Sequence, residues 1–192
     1  MEINFASMNR CSWVNENNKL YIKYHDEEWG VASYDDTYLF EMLLLESFQA
    51  GLSWECVLNK REAFRKAFDN FDYQLIEKYN EEKINELLQN KDIIRNRLKI
   101  KAAINNAKVF IKIRKEYKSF SNYIWSFTKN KQVVNKDDIF NTTSDLSDTI
   151  SKDLKTKGMT FVGSTIIYSY LQAVGIINDH ELSCDYRIKE KR

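Results

Sequence analysis

A chain of 192 residues with no proline and only five glycines has little with which to punctuate a fold of many short strands. Proline and glycine set turns and end strands, so their scarcity favours helices. Hydrophobic periodicity agrees. Asp35 and Asp36 can cap a helix running to Ala50, with Gly51 as its stop. Ser53 starts another toward Phe68, and Ile84, Leu87 and Leu88 mark a short one. Ile100, Ala103, Ile104, Ala107, Phe110 and Ile111 recur every three or four residues, the pattern of a long amphipathic helix. Weaker helical segments near 122–127 and 147–155, and an apolar one over 164–174 ended by Gly175, complete an all-α expectation. The polar stretch 129–144 is expected to be the longest loop.

The length suits one domain, and 43% hydrophobic residues are enough for a true core. The longest apolar run, residues 42–45, is far short of the roughly 20 residues that span a bilayer. No charged-then-apolar leader opens the chain, so a cytoplasmic protein with no membrane partner is expected. Three cysteines, an odd number, fit a reducing compartment better than a disulfide framework. Cys56 is expected to be a small buried hydrophobe.

The only two histidines each sit near a cysteine. Cys11 and His25 are separated by thirteen residues, His180 and Cys184 by three, and 154 residues lie between the pairs. Two thiolates and two imidazoles make a closed tetrahedral zinc set, of the kind that stabilises rather than catalyses. A metal joining them would close nearly the whole chain into one loop. Four unrelated residues would fit the same spacing, since thirteen is no standard finger interval.

Net charge is only +1, which makes no global case for nucleic acid. Its distribution says more: residues 91–118 carry ten Lys or Arg against two acids, either a nucleic-acid surface or a solvated face. Glu46 is out of place, sharing a stripe with Leu39, Met42 and Leu43 while Phe40, Leu44 and Phe48 make the opposite stripe apolar as well. A helix apolar on both sides is buried, and a buried carboxylate is costly unless bonded. It is either satisfied by a neighbouring arginine or amide, or it belongs to a site. Trp54 follows across Gly51, Leu52 and Ser53, and an acid meeting an indole suits a flat, cationic ring. Gly163, Ser164 and Thr165 open the last helix, either as an anion site for DNA phosphate or as a plain N-cap.

Five words of this sequence resemble one family. They are Arg10-Cys11-Ser12-Trp13 with Tyr21-Ile22-Lys23-Tyr24-His25-Asp26-Glu27-Glu28-Trp29-Gly30; Leu45-Glu46-Ser47-Phe48-Gln49-Ala50-Gly51-Leu52-Ser53-Trp54; Ile93-Ile94-Arg95-Asn96-Arg97-Leu98-Lys99-Ile100; Phe161-Val162-Gly163-Ser164-Thr165; and Asn178-Asp179-His180 with Cys184. In order and spacing they resemble the DNA-3-methyladenine glycosylase I family, an outlying branch of the helix-hairpin-helix DNA glycosylases. The resemblance implies an all-α glycosylase unit over residues 8–186, with a helical lobe at 36–130, a lobe tied by zinc and flexible ends at 1–7 and 187–192. It implies one structural zinc on Cys11, His25, His180 and Cys184. The implied base pocket is Tyr21, Tyr24, Trp29, Glu46 and Trp54, with Glu46 as the catalytic group. Leu52 would be a wedge in the duplex, and Gly163, Ser164 and Thr165 would hold phosphates. The implied reaction is release of 3-methyladenine from double-stranded DNA by a monomer, leaving an abasic site. Two departures stand out. Thr160 and Phe161 occupy the proline and first-glycine positions of the usual hairpin, and the superfamily's catalytic aspartate has no assured counterpart, since Asp179 could instead orient His180. The rival reading is a zinc-stapled DNA-binding module without catalysis, which leaves Glu46 beside Trp54 unexplained.

Overall fold

The computed structural model describes residues 8–137 and 140–187. Ten α-helices are formed among them: α1 (Lys19–Glu27), α2 (Asp36–Gln49), α3 (Trp54–Leu58), α4 (Arg61–Ala67), α5 (Tyr73–Ile76), α6 (Glu81–Gln89), α7 (Arg97–Tyr117), α8 (Phe120–Ser126), α9 (Asp145–Thr156) and α10 (Ser164–Ala173). The fold is mostly helical, as the missing prolines require. Asp35 caps α2 as expected, its side chain accepting from the Tyr38 N–H at 2.7 Å. Asn18, Asn80, Asn96, Ser119 and Ser144 cap α1, α6, α7, α8 and α9 in the same manner. The single helix expected from Ser53 to Phe68 is two, α3 and α4, divided at Asn59 and Lys60.

Two short strands qualify the all-α expectation. β1 (Val133–Val134) lies inside the segment expected to be loop and pairs in parallel with β2 (Ile177–Asn178). Two β-branched residues amid polar neighbours suffice for a two-residue ladder. Gln132 continues the seam, donating from Nε2 to the carbonyls of Gly30 at 2.8 Å and Gly175 at 2.7 Å. Here the N-terminal segment crosses the end of α10 so closely that a Cβ on Gly175, at φ +72°, would lie 2.2 Å from the Val31 carbonyl carbon. Glycine is therefore obligatory there. One hydrophobic cluster runs through the molecule, with α2 at its centre. Cys56 corrects its expectation: it is half-exposed on α3. No helix among the described residues is long and apolar enough to cross a membrane. Of the ends expected to be flexible, residues 1–7 and 188–192 lie outside the described residues, whereas Arg187 donates to the His180 carbonyl at 2.5 Å.

Candidate active site and metal centre

A cavity of about 280 Å³ opens where α1, α2, α3 and α10 meet. All five residues assigned to a base pocket line it: Tyr21 and Tyr24 from α1, Trp29 beyond it, Glu46 on α2, and Trp54 at the start of α3. Ser53 caps α3 by accepting from the Cys56 N–H at 3.2 Å, which fixes the approach of Trp54. The Tyr24 and Trp54 rings lie 5.1 Å apart, centroid to centroid. Asn15 and Asn18 both donate to Glu55 Oε1 at 2.8 Å, tying the entry of α1 to α3 and so holding the two aromatic walls together.

Glu46 is 2% exposed, and its Oε2 has no hydrogen-bond partner among the described residues. Burial alone pushes its carboxyl up to about 8, with no neighbouring cation to pull it back. The indole Nε1 of Trp54 is likewise buried and unpartnered. Burial, and then the nearby Glu46 charge, raise the Tyr24 phenol, which therefore stays protonated and able to donate. The cavity thus offers a flat aromatic slot with one unsatisfied acid inside it.

Several lining residues escaped the sequence reading. Trp13 packs 4.8 Å from Trp29 and 5.4 Å from Tyr21. Its position two residues after Cys11 was the available signal, because any metal holding Cys11 to His25 draws it alongside. Gln49 lies one helical turn beyond Glu46, so the same stripe pointed to it. Ser169 and Gln172 come from α10, and Phe140 reaches in from the segment expected to be loop; no local pattern marks them. Asp179 also lines the cavity, accepting from Tyr168 Oη and Gln172 Nε2, both at 2.6 Å, and from Asn135. It does not orient His180. That task falls to Asn178, whose Oδ1 lies 3.0 Å from His180 Nδ1.

The ligand atoms of Cys11, His25 and Cys184 lie within 4.8 Å of one another, close enough to bind a metal. Both imidazoles present their Nε2 atoms. His25 Nδ1 is taken by Asp26 at 2.8 Å, and Asp26 is held in turn by Arg10 and Tyr186. Desolvation lowers both histidines, His180 to about 4, so both are neutral and available as ligands at pH 7. His180 Nε2 is buried with no partner among the described residues, and its ring centroid lies 5.0 Å from that of His25. The two thiols and the His25 imidazole fit a metal, and His180 stands outside that group of three. Trp29 joins centre to cavity, edge-on to His180 at 4.7 Å and stacked on His25 at 6.2 Å.

The remaining assigned residues lie on two turns. Leu52 projects 43% exposed beyond Gly51, which holds φ +80°. Gly163 begins α10 with no side-chain cap, leaving the first-turn amides uncapped by any side chain. Thr165 is exposed there, whereas the Ser164 hydroxyl lies 2.8 Å from that of Ser147. Part of the basic stretch is engaged in structure: Arg97 and Lys101 pair with Glu81, Arg114 pairs with Asp36, and Lys99 is buried.

Residues 13–188 match the methyladenine glycosylase family. The DNA-3-methyladenine glycosylase 1 of Escherichia coli is 43% identical over 180 residues, covering 92% of this chain and 96% of that one. The DNA-3-methyladenine glycosylase of Haemophilus influenzae is 42% identical over 178 residues, with 91% and 96% covered. A solved 3-methyladenine DNA glycosylase I in complex with 3-methyladenine is 33% identical, with a TM-score of 0.91 over 96% of this chain and 100% of that one.

Proposed function

The chain belongs to the methyladenine glycosylase family, and from that premise we propose that it is a monofunctional DNA N-glycosylase that removes 3-methyladenine from alkylated DNA. It hydrolyses the N-glycosidic bond, releases the free base and leaves an abasic site. The observation that carries this reading is Glu46, a buried acid inside an aromatic cavity whose Oε2 has no partner among the described residues. Methylation at N3 makes the adenine cationic, so the base departs as a neutral molecule and weakens its own bond. The enzyme must extract the nucleotide, recognise the ring and keep the site from bulk water. Glu46 gives up its proton as the cation enters, because an adjacent positive charge reverses the effect of burial. Its carboxylate then accepts from the exocyclic amine, Trp54 stacks on the ring, and Tyr21, Tyr24 and Trp29 wall the slot.

Around this centre, Leu52 is the wedge that fills the gap left in the duplex. α9 and α10 act as a helix-hairpin-helix, in which Gly163, Ser164 and Thr165 bind phosphate through their amides, with the Thr165 hydroxyl in support. The Ser164 hydroxyl is already engaged with Ser147 and contributes less. Zinc is the resident metal, held by Cys11, His25, Cys184 and, as fourth ligand, His180. It supplies stability and no chemistry, since four protein ligands leave no position for water. The protein works as a monomeric unit over residues 8–186, in the cytoplasm. Incubation with N-methylated duplex DNA, followed by identification of the released bases, is the direct test. Free 3-methyladenine is the expected product, and binding without release would leave only a DNA-binding module.

A further inference from the structure

The buried face of α7 carries two polar side chains that take no part in the cavity. Lys99 and Asn106 are 7% and 4% exposed and lie seven residues apart, which puts them two turns along one face. Each grips the main chain of a different turn. Lys99 Nζ donates to the carbonyls of Phe48 at 2.9 Å and Ala50 at 2.6 Å, closing the end of α2 immediately before Gly51 and Leu52. Asn106 holds Thr160 by both polar groups: its Oδ1 accepts from the amide at 2.9 Å, and its Nδ2 donates to the carbonyl at 2.8 Å. The next residue, Phe161, sits at φ +54°, a conformation disfavoured for any residue with a Cβ. Ser47 of α2 secures it from the other side, donating to its carbonyl at 3.1 Å.

Packing alone asks for none of this. A methionine at 99 and a leucine at 106 would fill the same face without burying an ammonium or an amide, both costly to desolvate. What the polar pair adds is a fixed relation between two exposed turns. We infer that Lys99 and Asn106 are positioning residues that hold the Leu52 turn and the turn at 160–163 in one register for duplex DNA. The phosphates of a duplex are rigidly spaced, so two contacts reinforce each other only when the protein presents them pre-set. The inference rests on the DNA contacts proposed above.

The test uses the purified full chain and two titrations. One is with a duplex carrying a central abasic-site analogue, the other with free 3-methyladenine followed by tryptophan fluorescence. Asn106→Ala and Lys99→Met should each weaken duplex binding about tenfold, as expected from losing a buried hydrogen-bonded grip. Free-base affinity should stay within about twofold, because neither side chain lines the cavity. Lys99→Arg should restore much of the duplex affinity. If Asn106→Ala does not fold, Asn106→Leu keeps the volume without either hydrogen bond and should show the same split. Equal loss of both affinities, or no loss of duplex affinity, overturns the inference. Thr165→Glu separates it from the reading beneath it. An acid in the first turn suits the helix dipole, so the fold is kept while phosphate is repelled. If Thr165→Glu leaves duplex binding unchanged, the proposed phosphate contact fails and takes this inference with it. If Thr165→Glu weakens binding and Asn106→Ala does not, the contact stands and the inference alone falls.

Discussion

Helix α2 buries two glutamates five residues apart and treats them in opposite ways. Glu41 accepts from Arg61 Nε at 2.7 Å and from Arg65 Nη2 at 2.8 Å, and Arg61 continues to Glu28 at 2.8 Å. Glu46 has a wall of aromatic rings and an oxygen with no partner among the described residues. The buried acid satisfied by arginine, one of the two options for Glu46, does exist in this protein, but it is Glu41. A buried charge partnered from within is part of the structure, whereas one left unpartnered is waiting for something from outside. His180 Nε2 is likewise buried with no partner among the described residues, and the proposed metal would supply one.

If that distinction is right, the largest effect comes from removing the metal. Structural zinc contributes on the order of 10–16 kcal/mol in finger peptides, and here the ligands join residue 11 to residue 184. Protein purified without chelator should hold one zinc by elemental analysis, and less than about half an equivalent would break the assignment. Chelation should lower the melting temperature more than any single substitution. His180→Ala should reduce stability more than the activity of the molecules that remain folded.

Glu41 comes next. Glu41→Ala leaves the buried Arg61 guanidinium with Glu28 alone, and breaking a buried pair costs up to about 3–5 kcal/mol. Denaturant unfolding should show that loss, with excision per folded molecule nearly unchanged. A stable Glu41→Ala with impaired excision would reverse the roles given to the two acids.

How much of this was legible in sequence depends on the range of the interaction. Caps at Asp35 and Ser53, the stripe through α7 and the stop at Gly51 are local, and the chain spells them out. Glu46 announced itself because a lone acid on a doubly apolar helix breaks a local rule. The ladder between β1 and β2 could not be read, because its strands lie more than forty residues apart and are two residues long. Gln172, Ser169 and Phe140 enter the cavity through tertiary packing, with ordinary polar or loop surroundings in the sequence. Asp179 stands beside His180 in the chain but not in its contacts. Adjacency suggested His180, yet the backbone turn gives that histidine to Asn178 and aims Asp179 at Tyr168 and Gln172.

The third effect is the reverse of the Glu41 result. Glu46→Gln keeps the size and one acceptor but removes the charge that faces a cationic base. A charged hydrogen bond contributes roughly 1.5–3 kcal/mol, so excision of 3-methyladenine should slow about ten- to a hundredfold. Folding should survive, since a neutral amide is no costlier to bury than a carboxylate. Free 3-methyladenine should quench the native tryptophan fluorescence, and quench Trp54→Ala much less. Unfolding of Glu46→Gln, or unchanged excision, would make Glu46 a second structural acid.

The most specific effect is in pH. The Glu46 carboxyl titrates at about 8 in the folded protein, against an ordinary value of 4.5. Between those two values the folded state keeps a proton that the unfolded chain has lost. Folding is therefore coupled to proton uptake, and the contribution of Glu46 to stability falls as pH rises through that window. Glu46→Gln has no proton to lose, so its melting temperature should gain on the parent from about pH 4.5 and lead it most near pH 8. Each kcal/mol relieved is worth about 2–4 °C in a chain of this size. Catalysis should run the other way. The charge of the lesion is fixed by methylation and binding needs the carboxylate, so kcat/KM should rise with pH toward a plateau above about 8, the free-enzyme value. In Glu46→Gln that rising limb should vanish. Parallel pH profiles for parent and Glu46→Gln in both measurements would erase the difference between this acid and Glu41, which two arginines partner.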